Sequence, residues 1–375
     1  MTQKLKVVVC GTKFGHIYLS AFMLENIPFE LAGILAKNSD RSKQYARDFN
    51  VPLFFSVEEL PNDIDIACVV VRSTIVGGDG TKLAMQLMER GIHIIQEHPV
   101  YYDEIVQCVR KARTKGVRYQ LNTHHVNAAP VRTFTDYINK AREKNEIRFI
   151  DAIAGVQTVC SLLDIIGHVL GGFQPFEFTL PLKPGKNILG LCKCEIFPFQ
   201  CIQGAIAGVP ITLKIQNYYD PDDPDNHAAI LHRICVVMNS GNITLLNTNG
   251  PIVWSDEFFI STDHSNCVHF HEIAECMCAN KRPTAVSFSE HFSPSISDVI
   301  SGLWPEAVLA ELLKMKQSIE KGQSERQMQY YIDLCQIWRA VMLGVGNPRL
   351  LPMGNPIPPY PDPMDYRQKI ILNED

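Results

Sequence analysis

The sequence predicts an α/β protein in two parts: a doubly wound parallel sheet, then an α+β domain with a mostly antiparallel open sheet. Three observations carry that expectation. Near the N-terminus, Val7–Tyr18 (VVVCGTKFGHIY) runs valines into Gly11 and Gly15 and then into a helical pattern, which reads as strand, glycine turn, helix. Up to about residue 125, strand-like and helix-like segments alternate across short loops, as a doubly wound sheet requires. From Phe149 the alternation stops, and apolar strands follow one another with Ser240-Gly241-Asn242 and Asn249-Gly250 as turns. The expected division is therefore residues 1–125 and 126–375.

A chain of 375 residues is long enough for two cores, and 46% hydrophobic with 20% charged residues is the composition of a soluble globular protein. The net charge of -5 gives no reason to expect nucleic acid or a membrane surface as partner. No apolar run is long enough to span a bilayer. The start, MTQKLK, leads into a strand without the apolar region of a signal peptide, so a cytoplasmic location is expected. The cysteines include no C-x-x-C pair. Only Cys192/Cys194 and Cys276/Cys278 are closely spaced, so free thiols are expected and no metal site.

In order, the first strand ends at Gly11-Thr12-Lys13-Phe14-Gly15, where a glycine frees the backbone and the next helix opens toward an anion. Lys13 and His16 replace the second and third glycines of the usual dinucleotide turn, yet the position behind a buried strand favours a pyrophosphate site in a Rossmann domain. A helix over Ile17–Leu24 and a strand over Phe29–Leu35 follow. That strand ends in Ala36-Lys37-Asn38-Ser39-Asp40-Arg41, without the carboxylate that grips a ribose 2′-hydroxyl. Lys37, Ser39 and Arg41 can instead donate to a 2′-phosphate, so NADPH is the expected cofactor. The same loop also reads as a cap for the helix beginning near Ser39.

Next come a helix over Ser42–Phe49, a strand over Leu53–Phe55, a short helix over Val57–Leu60 and a buried strand over Ile64–Val71. This last strand ends in Arg72-Ser73-Thr74 and a glycine-rich stretch through Gly80, a loop expected beside the cofactor. Lys82–Arg90 reads as helix and His93–Gln96 as strand, ending in Glu97-His98-Pro99. Tyr102–Lys115 is a helix whose basic run reads as a solvated face. Tyr119–Leu121 is a strand ending in Asn122-Thr123-His124-His125. His98 and His125 thus stand at the carboxyl ends of neighbouring strands, near a nicotinamide, and an imidazole there suits a general acid.

In the second half, Asp151–Thr158 reads as strand, and Ser161–Leu170 as a helix with Asp164 and His168 on one face. Asp164 is the candidate carboxylate that, with Asn122, orients one of the acid histidines; a purely structural Asp164–His168 contact is the other reading. Strands are expected over Cys192–Phe197, Ile211–Tyr218, Ile234–Met238, Ile243–Asn247 and Ile252–Ser255. The rigid loop Tyr219-Asp220-Pro221-Asp222-Asp223-Pro224-Asp225-Asn226-His227 lacks the spacing of a calcium loop, and Ala228–Arg233 reads as a helical turn. Asn122, His124, Tyr219 and His227 are the candidate substrate contacts. Ser289–Lys321 is expected as helix interrupted at Trp304-Pro305, Glu325–Leu343 as helix, and Asn347–Pro363 as an extended strap. The exposed face of the open sheet is where a second copy would pair as a homodimer.

With these residues in hand, the chain resembles the glucose-fructose oxidoreductase/inositol dehydrogenase-like superfamily. That superfamily typically carries Glu-Lys-Pro where this chain has Glu97-His98-Pro99, which argues against an ordinary sugar dehydrogenase. The chain is more similar to the thiazolinyl imine reductases of siderophore biosynthesis, over nearly its whole length. The landmarks are Gly11–Gly15 with Tyr18-Leu19, Val71–Thr74 with Gly77-Gly78, Ile95–Pro99, Tyr219–Asp225 through His232-Arg233, and Gly250–Ser255. The resemblance implies NADPH-dependent reduction of a thiazoline C=N to a thiazolidine, on an intermediate tethered to a nonribosomal peptide synthetase carrier domain. It implies a proton donor at His98 and sets His125 where that subfamily has a tyrosine. The competing readings are a sugar or cyclitol dehydrogenase of the same superfamily and a non-enzymatic NADP-binding regulator.

Overall fold

The computed structural model describes residues 4–73, 78–181, 184–193, 196–259, 283–288, 294–365 and 367. Strands β1 (Leu5–Cys10), β2 (Phe29–Leu35), β3 (Leu53–Phe54), β4 (Ile66–Val69), β5 (His93–Glu97) and β6 (Tyr119–Asn122) form one parallel sheet in the order β3-β2-β1-β4-β5-β6. The strand order reverses at β1, and a crevice opens there at the carboxyl ends of β1 and β4. Both faces are covered, so the strands are apolar throughout. Val7 and Val9 face a core shared with α1 (Gly15–Ser20) and α2 (Asp40–Asp48), while Val8 and Cys10 face α3 (Gly80–Glu89) and α4 (Tyr102–Lys115).

The second sheet, eight strands in a mostly antiparallel arrangement, confirms the expected fold class. It contains β7 (Ile147–Gly155), β8 (Phe176–Phe178), β9 (Gln200–Ile206), β10 (Val209–Gln216), β12 (His232–Met238), β13 (Gly241–Leu245), β14 (Ile252–Asp256) and β15 (Ala285–Ser287); β11 (Tyr218–Tyr219) lies outside it. β7 and β10 pair in parallel. Alternate residues such as Ile211, Leu213 and Ile215 are buried, so one face is covered and the other open. Helices α5 (Ala129–Ala141) and α6 (Val159–Leu170) pack together, and α6 lies on β7.

Several expectations are corrected. Over Cys192–Phe197 no strand is present among the described residues: a helix, α7 (Lys186–Leu191), precedes irregular chain, and pairing begins at Gln200, past Pro198, which cannot donate to a ladder. Ala228–Arg233 is not a helical turn, because His232 and Arg233 are already extended between β7 and β13. Val57–Leu60 is a turn rather than a helix. The Trp304-Pro305 break is absent: a π-helical turn, Val299–Leu303, runs straight into α8 (Trp304–Lys321), and the chain stays helical through Pro305. The expected start of that helix at Ser289 lies outside the described residues, as do Cys194, Cys276 and Cys278.

The last helices cross back. Val308, Leu312 and Met315 of α8 pack on the first sheet with Ile17 and Tyr18, while α9 (Glu325–Val345) touches both α4 and α6. The basic run of α4 is engaged within the fold: Lys111 and Lys115 pair with Glu89, and Arg113 pairs with Glu325. The tail acts as a strap where Arg349–Leu350 pairs in parallel with β11. No described helix is long and apolar enough to cross a membrane.

Candidate active site

At the end of β1, Gly11 has φ +93°, and a Cβ there would sit 2.6 Å from the Val70 carbonyl oxygen. Only glycine lets this turn lie so close to the end of β4. Gly15 is less constrained, since the nearest atom to an added Cβ is at 3.5 Å. Around the turn, Lys13 Nζ lies 3.7 Å from Asp225 Oδ2, and Arg72 donates to the same oxygen. The acidic loop from the second half thus reaches the pyrophosphate turn. Its base is fixed where Asp220 accepts from the N–H groups of Asp222 (2.9 Å) and Met353 (2.7 Å).

At the end of β2, Ser39 caps α2: its hydroxyl accepts from Ser42 N–H, and Ser42 reciprocates. The capping reading of this loop is therefore correct, while Lys37 and Arg41 stand exposed beside it and Ala36 is half-buried. Ser73 is buried and accepts from Gln96 Nε2 at 3.0 Å, so it helps hold the strand beneath the glycine-rich loop. Thr74 and Gly77 lie outside the described residues. Thr12 is buried and Phe14 reaches His124, with ring centroids 6.5 Å apart.

One hydrogen-bond network joins the two histidine-bearing corners. Glu97 Oε1 lies 3.0 Å from His98 Nδ1, and Oε2 accepts from the Tyr18 hydroxyl. Asn122 donates to the Tyr18 oxygen at 2.5 Å, accepts from His98 N–H through its carbonyl at 3.0 Å, and accepts from His124 N–H through Oδ1 at 2.9 Å. At His124 the backbone has φ 60° and ψ -60°, and His125 N–H donates to the Thr123 carbonyl at 2.6 Å. This is a γ-turn of the rare, strained hand, a conformation costing on the order of 1–3 kcal/mol.

Beyond that turn the side chains form a buried cluster. His124 and His125 lie 5.2 Å apart, His125 and His232 5.0 Å, and His124 and Trp304 5.5 Å by ring centroids. Burial, with the nearby His98 charge, pushes His124 down to about 3. Burial likewise takes His232 to about 4, and His125 falls well below 6.5 through burial and then His232, His124 and His98. All three rings are neutral at physiological pH. His232 is fully partnered, Nδ1 at 2.8 Å from Thr248 Oγ1 and Nε2 near Ser161 Oγ (2.9 Å) and the Thr158 carbonyl (3.2 Å); the carbonyl partner assigns the proton to Nε2. In contrast, both nitrogens of His124, Nδ1 of His125 and Nε1 of Trp304 are buried without a hydrogen bond. Each such orphan costs about 1–3 kcal/mol, so the cluster offers unsatisfied donors and acceptors to a polar ligand group.

Asp164 and His168 do meet on α6, with Nδ1 3.2 Å from Oδ1. Burial alone would raise the Asp164 carboxyl, but the His168 charge and hydrogen bonds from His168, Thr123 and Tyr330 hold it below the usual range. Burial opposes charge on His168, yet Asp164 carries it above 6.5. The hydrogen bonds of Asp164 run to Thr123 Oγ1 (2.6 Å), the Tyr330 hydroxyl (2.7 Å) and His168. Contrary to expectation, it orients neither His98 nor His125 directly. It grips the residue just before the strained turn. Tyr219 and His227 also lie apart from the histidine cluster in their polar contacts: the Tyr219 carbonyl accepts from Leu351, and the His227 carbonyl from Gln216.

Sequence reasoning gave no site role to Tyr18, Asp225, His232 or Trp304. Tyr18, Asp225 and His232 lie within the family landmarks; Trp304 carries only the signal of a helix interruption, and no local pattern reveals its ring contacts. No group of three metal-ligating side chains gathers among the described residues. The glycine cradle, Lys13 and Arg72 beside it, and the orphaned nitrogens at the strand ends fit a nicotinamide dinucleotide.

Two family models match separate stretches of the chain. Residues 5–123 match the model of the oxidoreductase family with an NAD-binding Rossmann fold, and residues 145–255 match that of the thiazolinyl imine reductase Irp3-like C-terminal domain. No curated protein matches the chain. Among solved structures, it is similar to a putative NADPH-dependent oxidoreductase from Desulfitobacterium hafniense (TM-score 0.64, 12% identity, covering 92% of this chain and 96% of that one). It is also similar to UDP-N-acetylglucosamine 3-dehydrogenase GnnA from Acidithiobacillus ferrooxidans (0.62, 12%, 91% and 97%). A third is an oxidoreductase from Agrobacterium radiobacter in complex with NAD+, L-tartaric acid and magnesium (0.62, 11%, 90% and 95%). Identities this low establish the shared fold.

Proposed function

We propose, from the premise that the chain belongs to the oxidoreductase family with an NAD-binding Rossmann fold and carries an Irp3-like C-terminal domain, that it reduces a thiazoline to a thiazolidine with NADPH. The substrate is an intermediate of siderophore assembly, held on a nonribosomal peptide synthetase carrier domain. The observation that carries this reading is the imidazole of His98, held at Nδ1 by Glu97 in the place where sugar-oxidising relatives use lysine.

Reduction of a cyclic imine adds hydride to carbon and a proton to nitrogen, so it requires one positioned acid. The bound dihydronicotinamide supplies the hydride. His98 delivers the proton, because Glu97 Oε1, 3.0 Å from Nδ1, orients its ring, whereas burial keeps His125 neutral and a poor acid. Asn122 fixes both corners through Tyr18, His98 and His124, and Asp164 holds the second corner through Thr123. Gly11 and Gly15 admit the pyrophosphate beside Lys13 and Arg72, and Lys37 and Arg41, with Ser39 at the helix cap, take the 2′-phosphate. Tyr219 and His227 belong to the loop that borders the substrate entrance. The protein works in the cytoplasm as a homodimer built on the open sheet face.

The test is a panel of synthetic thiazolines, oxazolines and polyols assayed with NADPH and with NADH. Thiazoline-dependent NADPH oxidation is the expected result. Polyol turnover, or a preference for NADH, overturns the substrate or the cofactor assignment respectively.

A further inference from the structure

We propose that His124 and Trp304 form the seat of the nicotinamide carboxamide. The inference rests on the nicotinamide cofactor of the reading above, and not on the substrate.

Among the described residues, five buried side-chain nitrogens lack a partner: His124 Nδ1 and Nε2, Trp304 Nε1, His125 Nδ1 and Gln120 Nε2. Four of the five thus fall in the one cluster where these rings pack together. His232, packed 5.0 Å from His125, has partners on both ring nitrogens, so the fold can satisfy a buried imidazole where none has to be left open. His124 is 1% exposed and held in its strained turn by the Asn122 side chain, which fixes where its ring goes.

The chemistry of the vacant partners narrows the ligand. An indole N–H only donates, while a neutral imidazole offers one donor and one acceptor. A group that fills both needs must accept and donate from adjacent atoms, as a primary amide does. A phosphate or carboxylate only accepts and calls for cations, and the cations here, Lys13 and Arg72, are at the glycine turn instead. Phe14 closes the turn and its ring faces His124 edge-on, so a dinucleotide with its pyrophosphate at Gly11–Gly15 brings its far ring to this cluster. Trp304 comes from α8, which packs on the first sheet. The seat is thus completed by a helix far along the chain.

Calorimetric titration of the full chain tests this without turnover. The ligands are NADP+, its 3-acetylpyridine analogue, in which the amide NH2 is replaced by methyl, and adenosine 2′,5′-bisphosphate, which lacks the nicotinamide half. Wild type should prefer the carboxamide over the acetyl ligand by about 10-fold, as one lost buried hydrogen bond predicts. Trp304→Phe and His124→Asn should each weaken NADP+ by a similar factor and shrink that preference, with the bisphosphate affinity unchanged. Equal wild-type affinity for the two dinucleotides overturns the seat, and so does undiminished NADP+ binding in both variants. Because only binding is read, an error in the thiazoline assignment does not move the result.

Discussion

His98 and His125 occupy equivalent corners, but their neighbours differ in kind. A carboxylate lies 3.0 Å from one ring, and the other is walled by His124, His232 and Trp304. His98→Asn should therefore lower kcat by about 10²–10⁴-fold while NADPH affinity stays within a few-fold. His125→Asn should cost much less; an equal loss in both variants would assign the proton transfer to the pair. The buried imidazoles also set the acid limit of the fold. His232 is pushed down to about 4 from 6.5, so the unfolded chain takes up its proton first as pH falls. The stability this group contributes is complete above pH 6.5 and is lost between 6.5 and 4, at most on the order of 3 kcal/mol. Urea midpoints of His232→Gln, less stable at pH 8, should fall less steeply than wild type across that window; parallel curves would show that His232 does not titrate there. The two corners were legible in the sequence because strand ends carry chemistry in a doubly wound sheet. The sequence leaves open which of the two would donate, because that depends on the groups packed against each histidine.

Helix α6 shows how an element holds the site from behind. Gly167 lies one residue before His168, and a Cβ added there would come 2.3 Å from Phe173 Cζ and 2.6 Å from the Tyr330 hydroxyl. Phe173 is buried, so moving its ring costs core packing, and moving Tyr330 loosens the Asp164 carboxylate that accepts from Thr123. In an open helix Gly→Ala would gain about 1 kcal/mol. Here Gly167→Ala should lose about 1–3 kcal/mol through overpacking, read as a lower urea midpoint, and a rise would mean that the α6–α9 contact relaxes freely. The sequence could show Asp164 and His168 four apart on one face, but not that Tyr330 of α9 completes the group. Elements of the first half were readable because apolar strands and amphipathic helices alternate there. The second half was less so, since β8, β9 and the start of β12 owe their extension to partners distant in the chain rather than to a local pattern.

At the scale of the molecule, two segments from the second half return to the first: α8, which lies on the parallel sheet, and the acidic loop, whose Asp225 shares Lys13 and Arg72. Asp225 holds the two cations that a pyrophosphate at the glycine turn would use. Binding of the dinucleotide then exchanges one anion for another, and the carboxylate lowers apparent affinity by the worth of its pairs. Those side chains are 39–61% exposed, so each pair contributes only about 0–1 kcal/mol. Asp225→Asn should tighten NADPH by about 2–5-fold at low salt. The gain should vanish near ~1 M salt, where the screening length is about 3 Å. If calorimetry instead finds weaker binding in Asp225→Asn, the loop closes over the occupied turn and Asp225 clasps Arg72 from above. The sign of one affinity change thus separates a carboxylate that competes with the cofactor phosphates from one that locks them in.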